Sequence, residues 1–126
     1  MKREKFSIKN RLRSFGYAFN GLKVMFIDEH NSRIHLVAAI LALALGWFLK
    51  LSANEWTLLV IVIGSVFSAE LFNSAVENLA DFISPANHEK IKKAKDLAAG
   101  AVLVSALVAV VMACIIFLPK IVLLLK

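Results

Sequence analysis

AELFNSAVENLAD, residues 69–81, decides how the chain is read. It closes an apolar run that starts at Trp56, and the two together read as one long helix. Advanced at ~100° per residue, Glu70, Asn73, Glu77 and Asp81 fall within a narrow stripe, with Ser74 on its edge. Leu71, Phe72, Ala75, Val76 and Leu79 occupy the other sides. Three acids and an amide therefore line one face of a helix that is otherwise compatible with lipid. Asp81 is equally well explained as a solvated helix end. Glu70 is not, because a carboxylate inside a membrane is costly and marks a functional site by default.

Depth sharpens the point. With Trp56 as an interfacial anchor, Glu70 lies ~21 Å further along the helix axis, still inside a hydrocarbon core of ~30 Å. Asp81, ~37 Å from Trp56, has emerged. The acids form a ladder from the edge of the hydrocarbon to the headgroups, where a membrane-held substrate can meet a water-soluble one.

Composition supports a membrane setting. Of 126 residues, 60% are hydrophobic, against ~45–50% in an average soluble domain. The length suits a single membrane-embedded domain over 1–126 with three spans. Lys2, Arg3, Lys5, Lys9, Arg11, Arg13, Lys23 and Arg33 precede the first span, and Lys90, Lys92, Lys93 and Lys95 lie between the second and third. Lys50 alone lies between the first two. Basic segments stay cytoplasmic, so the N-terminus and the 84–95 loop are expected inside, and the 50–55 turn and C-terminus outside. The expected location is the bacterial cytoplasmic (inner) membrane, with the site on its cytoplasmic face. Such basic segments suit anionic lipid or nucleotide phosphates; no nucleic-acid partner is expected. Cys114 stands alone, which excludes an intrachain disulfide or a cysteine metal cluster. The long, basic N-terminus has no cleavable signal pattern.

In chain order, residues 1–5 read as a basic tail. From 6 to about 28 the pattern is amphipathic: Ile8, Leu12, Phe15, Phe19, Leu22 and Phe26 share one face, which predicts a helix lying in the cytoplasmic interface. Residues 27–35 read as a polar hinge. The apolar run 36–49 is short for a span, and Arg33 and Lys50 are expected to extend it by snorkelling. Ser52 or Asn54 is the candidate N-cap of the next helix. Pro85 breaks the chain after the acidic ladder, and residues 88–95 are expected to be helical only at their end. Pro119 is expected to mark the outer end of the third span. The fold class is thus all-α and membrane-embedded, with a surface helix at about 6–28 and spans at about 33–50, 55–83 and 96–119.

The chemistry narrows by elimination and by what remains. There is no G-x-x-x-x-G-K-[ST], no G-x-G-x-x-G and no H-E-x-x-H. Asp28, Glu29, His30 and His35 are close in sequence, but a juxtamembrane segment is ordinarily polar and spacing alone makes no metal cluster. What remains is a carboxylate array with a lysine and an amide. Phosphoryl transfer needs ligands for a nucleotide-bound metal, a cation for developing charge and a base for the acceptor hydroxyl. Magnesium takes hard oxygen ligands, commonly one or two carboxylates plus phosphates. Glu77, Glu29 and Lys95 fill those roles if the fold brings them together, and Glu70, the deepest acid, suits a general base.

Glu70-x-x-Asn73-Ser74-Ala75-x-Glu77-x-x-x-Asp81, followed by Ala94-Lys95-Asp96 and Ala99-Gly100-Ala101-Val102, resembles the bacterial integral-membrane diacylglycerol kinase and undecaprenol kinase family. Gly16-Tyr17 and Gly21-Leu22-Lys23, upstream of Glu29 and Arg33, match that family's surface helix. The resemblance covers about residues 10–118. It implies a homotrimer with active sites shared between neighbours, and ATP- and Mg2+-dependent phosphorylation of a lipid hydroxyl. It implies that Glu70 is the catalytic base and that Glu29 and Glu77 hold the metal. On the nucleotide side it implies Tyr17, Glu29, Asn73, Glu77, Lys95 and Asp96. Arg13, Asn73 and Asp81 are expected on the lipid side, with Arg11 the alternative to Arg13 because the spacing to Tyr17 departs from the family's. His35 stands where the proteobacterial diacylglycerol kinases carry an acid. Arg33-Ile34-His35 and Leu118-Pro119-Lys120 are more like the undecaprenol kinase branch, which is slightly favoured. The competing class is a small ion-coupled transporter using Glu70, but its signature is a lone mid-membrane acid without cytoplasmic chemistry.

Overall fold

The computed structural model describes residues 6–86 and 88–126, so the basic tail at 1–5 and Asn87 in the loop lie outside the described residues. Four helices follow one another: α1 (Ile8–Asp28), α2 (His30–Phe48), α3 (Ala53–Ile83) and α4 (Glu89–Leu124). The last three are long and apolar enough to cross a membrane.

Helix α1 starts at Ser7, whose hydroxyl accepts from Asn10 N at 3.5 Å. Only its last turns pack on the bundle. Met25 is buried, and Phe26 meets the Phe67 ring edge-on at 5.6 Å. Ile8, Leu12, Phe15 and Phe19, the first four residues of the expected apolar face, are exposed in the single chain.

The expected polar hinge at 27–35 is much shorter. Glu29 alone is extended (φ −100°, ψ 113°), and α2 begins at His30. Arg33 explains how the chain turns so sharply. Instead of extending a span, it donates from Nε to Phe26 O (3.0 Å) and from Nη2 to Ile27 O (2.6 Å). These bonds satisfy the open carbonyls at the end of α1, so no linker is needed.

The α2–α3 turn is equally tight. Lys50 adopts φ 53°, the left-handed conformation that commonly terminates helices, and Leu51 N returns to Gly46 O at 3.1 Å. Ser52 is the N-cap of α3: Glu55 N donates to its hydroxyl at 3.3 Å and Ser52 N donates to the Glu55 carboxylate at 2.7 Å, a reciprocal capping box. Gly46 gives close packing here: a Cβ would lie 3.0 Å from Cη2 of Trp56 and 3.3 Å from a Leu51 methyl, tight enough that those side chains would have to shift. The Trp56 ring is half-buried against α2.

Helix α4 is longer than the sequence suggests at both ends. The His88 ring caps it by accepting from Lys90 N at 3.2 Å, and a Lys92–Asp96 pair one turn on (2.8 Å) supports the basic stretch as helix throughout. Pro119 does not end the helix, which runs on to Leu124. Proline removes one backbone donor, but tertiary contacts carry the helix past it. Ile116 and Phe117 are buried with Leu51 and Leu59, Ile121 packs against the same cluster, and Lys120 pairs with Glu55 at 3.1 Å. The apolar core therefore sits at the end of the bundle remote from the acidic ladder.

Candidate functional site

Six of the expected residues, Glu70, Asn73, Glu77, Asp81, Lys95 and Asp96, lie on the last turns of α3 and the first turns of α4, and they differ in burial. Glu70 is only 2% exposed and Ser74 is buried, Asn73 is half-buried, and Asp81 is open to solvent. Burial within the chain falls from Glu70 to Asp81 along the stripe, with Ser74 on its edge buried between them.

Glu70 is held from α2. Ser32, fully buried at 0% exposure, donates to Oε2 at 3.5 Å, and His35 Nε2 lies 3.1 Å from Oε1. The histidine contact is at ion-pair distance without hydrogen-bond geometry, so Oε1 is a buried acceptor with no hydrogen bond among the described residues. Below Glu70, Asn73 Nδ2 donates to Glu77 Oε1 at 3.4 Å, which leaves Asn73 Oδ1 buried and likewise unsatisfied. Asn78 donates to Ser74 O at 2.8 Å. Unsatisfied buried oxygens cost stability and are rare; two of them on neighbouring turns of one stripe mark a place prepared for a ligand.

Glu29, at the α1–α2 bend, and Glu77 both lie close enough for their charge to reach Glu70. The bend therefore brings an acid 41 residues away in sequence into the ladder's field. Lys95 and Asp96, adjacent in sequence, take different partners. Lys95 Nζ pairs with Asp81 at 2.9 Å and so ties α4 to α3, whereas Asp96 pairs with Lys92. Both lysines precede the apolar run that begins at Leu97. The hydrogen bond to Asp81 and its negative charge hold the Lys95 ammonium above its ordinary range, and Asp96 does the same to Lys92. Tyr17 is exposed, the Arg11 guanidinium sits 5.6 Å from the centre of the Phe6 ring, and no hydrogen bond or ion pair joins Tyr17, Arg11 or Arg13 to the ladder among the described residues.

No group of three or more acidic, histidine or cysteine side chains forms a metal cage among the described residues, the cluster at 28–35 included. The donors present fit a different kind of metal. Glu77 and the Asn73 oxygen are hard oxygen donors one turn apart, of the type that suits an ion whose other ligands are phosphates; Glu29 lies near Glu70.

An apolar cavity of about 210 Å³ runs between α2, α3 and α4 beside Glu70. Its walls include Ala42, Val66, Phe67 and Ala109, and His35 is its one polar lining residue.

Residues 16–117 match the family described as prokaryotic diacylglycerol kinase. The chain belongs to that family. It is similar to an undecaprenol kinase of Bacillus subtilis (strain 168), 40% identical over 108 residues that cover 86% of this chain and 88% of the relative. It is also similar to a diacylglycerol kinase of Escherichia coli (strain K12), 35% identical over 104 residues, 82% of this chain and 85% of the relative. A diacylglycerol kinase of Helicobacter pylori (strain ATCC 700392 / 26695) is 32% identical over 96 residues, 76% of this chain and 75% of the relative. Membership of this lipid kinase family decides between kinase and transporter in favour of the kinase, and a kinase uses ATP.

Within this diacylglycerol kinase family member, sequence reasoning passed over Ser32. Its signal was weak but present: Ser32 and His35 are three apart, hence on one face of α2. Nothing local indicates that this face meets Glu70.

Proposed function

We propose that the protein is an integral-membrane lipid kinase that transfers the γ-phosphoryl group of ATP to the hydroxyl of undecaprenol in preference to diacylglycerol. The observation that carries this reading is Glu70: a buried carboxylate, free at Oε1, beside an apolar cavity on one side and a ladder of polar groups on the other. The acceptor's apolar chain occupies lipid or the cavity while its hydroxyl reaches Oε1. Glu70 takes the hydroxyl proton as the oxygen attacks phosphorus. Glu29, Glu77 and the Asn73 oxygen would hold Mg2+, which would offset the charge of the nucleotide phosphates. Lys95 and Asp96 serve the nucleotide, with Tyr17 on the same side, and releasing Lys95 from Asp81 frees its ammonium for phosphate. Arg13 and Asp81 are assigned to the lipid headgroup side.

The exposed apolar face of α1 and its interspersed basic residues support a helix lying in the cytoplasmic interface. The basic segments support a cytoplasmic site. Buried polar atoms left unsatisfied within one chain support an oligomer whose sites are shared. Three copies follow from the family resemblance, and a detergent-corrected mass tests that number.

The preference for undecaprenol rests on Arg33-Ile34-His35 and on the higher identity to the undecaprenol kinase than to the two diacylglycerol kinases above. Offering both lipids side by side with labelled ATP tests it. Faster phosphorylation of undecaprenol is expected; faster phosphorylation of diacylglycerol overturns the preference, and phosphorylation of neither overturns the function.

A further inference from the structure

The contact that the assigned roles leave unused is the one between His35 and Glu70. Three observations meet there. The imidazole Nε2 is 3.1 Å from Oε1 of a carboxylate that is almost entirely buried. Ser32, one helical turn before His35, donates to the other oxygen. His35, with a quarter of its side chain exposed, also lines the apolar cavity. A buried carboxylate on α3 is thus gripped by two side chains of α2, one on each oxygen.

We propose that His35 is a positioning residue for Glu70, fixing the carboxylate so that one lone pair of Oε1 is presented to the acceptor hydroxyl. This rests on the reading of Glu70 as the base. A carboxylate has about four lone-pair sites. Ser32 takes one on Oε2, and the imidazole crowds Oε1 at 3.1 Å without a hydrogen bond among the described residues, which restricts the directions from which that oxygen is approached. Glutamate carries three side-chain torsions, and without α2 the carboxylate turns freely within its site. Proton transfer demands heavy-atom separations near 3 Å, and such contacts are often misaligned before substrate binds and tighten with it. The His35 contact, close but off-axis, fits that pattern. His35 both lines the cavity and lies 3.1 Å from Oε1, so the same ring that holds the carboxylate borders the apolar space.

The test uses the full-length enzyme in detergent with lipid acceptor. His35→Leu is expected to lower kcat about tenfold or more and leave KM for MgATP within about twofold, because His35 acts through the base and not on the nucleotide. His35→Gln, whose amide nitrogen reaches the Nε2 position, is expected to recover most of the loss, and the shorter His35→Asn is not. A residue that works through another shows no further effect once that residue is disabled. His35→Leu added to Glu70→Gln should therefore leave the residual rate of Glu70→Gln unchanged. A normal kcat in His35→Leu overturns the proposal, as do losses that multiply in the double variant or equal losses in the Gln and Asn variants. The Gln–Asn comparison remains decisive if the Leu variant does not fold. Normal turnover in Glu70→Gln alone is a separate outcome: it removes the base assignment itself, and the positioning role with it.

Discussion

Asn73 links the two halves of the site. Its amide nitrogen donates to Glu77 at 3.4 Å, and its carbonyl oxygen is buried and accepts no hydrogen bond among the described residues. A cation beside Glu77 gives that oxygen a partner and offsets an acid that otherwise repels Glu70. Glu77→Gln and Glu29→Gln should each abolish most lipid phosphorylation while the helical circular dichroism stays unchanged. Raised magnesium should restore part of the rate, because each change removes one hard anionic ligand and leaves the phosphates. Near-normal turnover of either variant at low magnesium contradicts the assignment of that residue. The ladder was legible in the sequence because Glu70, Asn73, Glu77 and Asp81 share one helix, where angular position follows from numbering. Ser32 was not, because its bond to Glu70 spans 38 residues and joins two helices, and periodicity carries no information about which faces meet. Lys95 was anticipated as a cation near the acids, but not its direct pairing with Asp81.

At the level of helices, the sequence located all four elements and the ends of α1 and α3 near Asp28 and Ile83, but missed the start of α2 and both ends of α4, for one recurring reason. Helix ends depend on what satisfies the open backbone groups, and here the groups that do so come from neighbouring elements. Arg33 closes α1, which shrinks the expected hinge to Glu29. Packing of Phe117 and Ile121 and the Lys120–Glu55 pair carry α4 through Pro119. The N-cap of α3, by contrast, is local: the sequence offered Ser52 or Asn54, and the reciprocal bonds between Ser52 and Glu55 select Ser52. If tertiary packing sustains α4 beyond Pro119, Pro119→Ala restores the missing donor without changing the fold. Its thermal unfolding midpoint in detergent should equal or exceed the parent's, with lipid phosphorylation unaffected, since proline inside a helix costs up to about 3 kcal/mol relative to alanine. A clear drop in the midpoint indicates that the helix needs the proline there.

The whole molecule has two ends of different character, an apolar cluster around Leu59 and Phe117 at one and the polar ladder at the other. On the reading proposed above, the ladder end faces the cytoplasm, as the charge asymmetry predicts. In a Cys114→Ala background, a membrane-impermeant thiol reagent added outside intact cells should label Ala53→Cys and spare Lys92→Cys; the reverse pattern inverts the orientation. The charge asymmetry is visible in the sequence because lysine and arginine positions are independent of packing, whereas the contacts of α2 with Glu70 exist only once the bundle has formed. The central claim is that the molecule carries phosphate from ATP to a lipid hydroxyl by way of one buried carboxylate, and replacing that carboxylate tests it most directly. Glu70→Gln keeps the shape and cannot usefully accept a proton, so lipid phosphorylation should fall by about two or more powers of ten while ATP binding, measured on the same preparation, stays near the parent's. Normal turnover with weakened ATP binding contradicts the account, makes Glu70 a binding residue, and leaves Asp96 as the next base to examine.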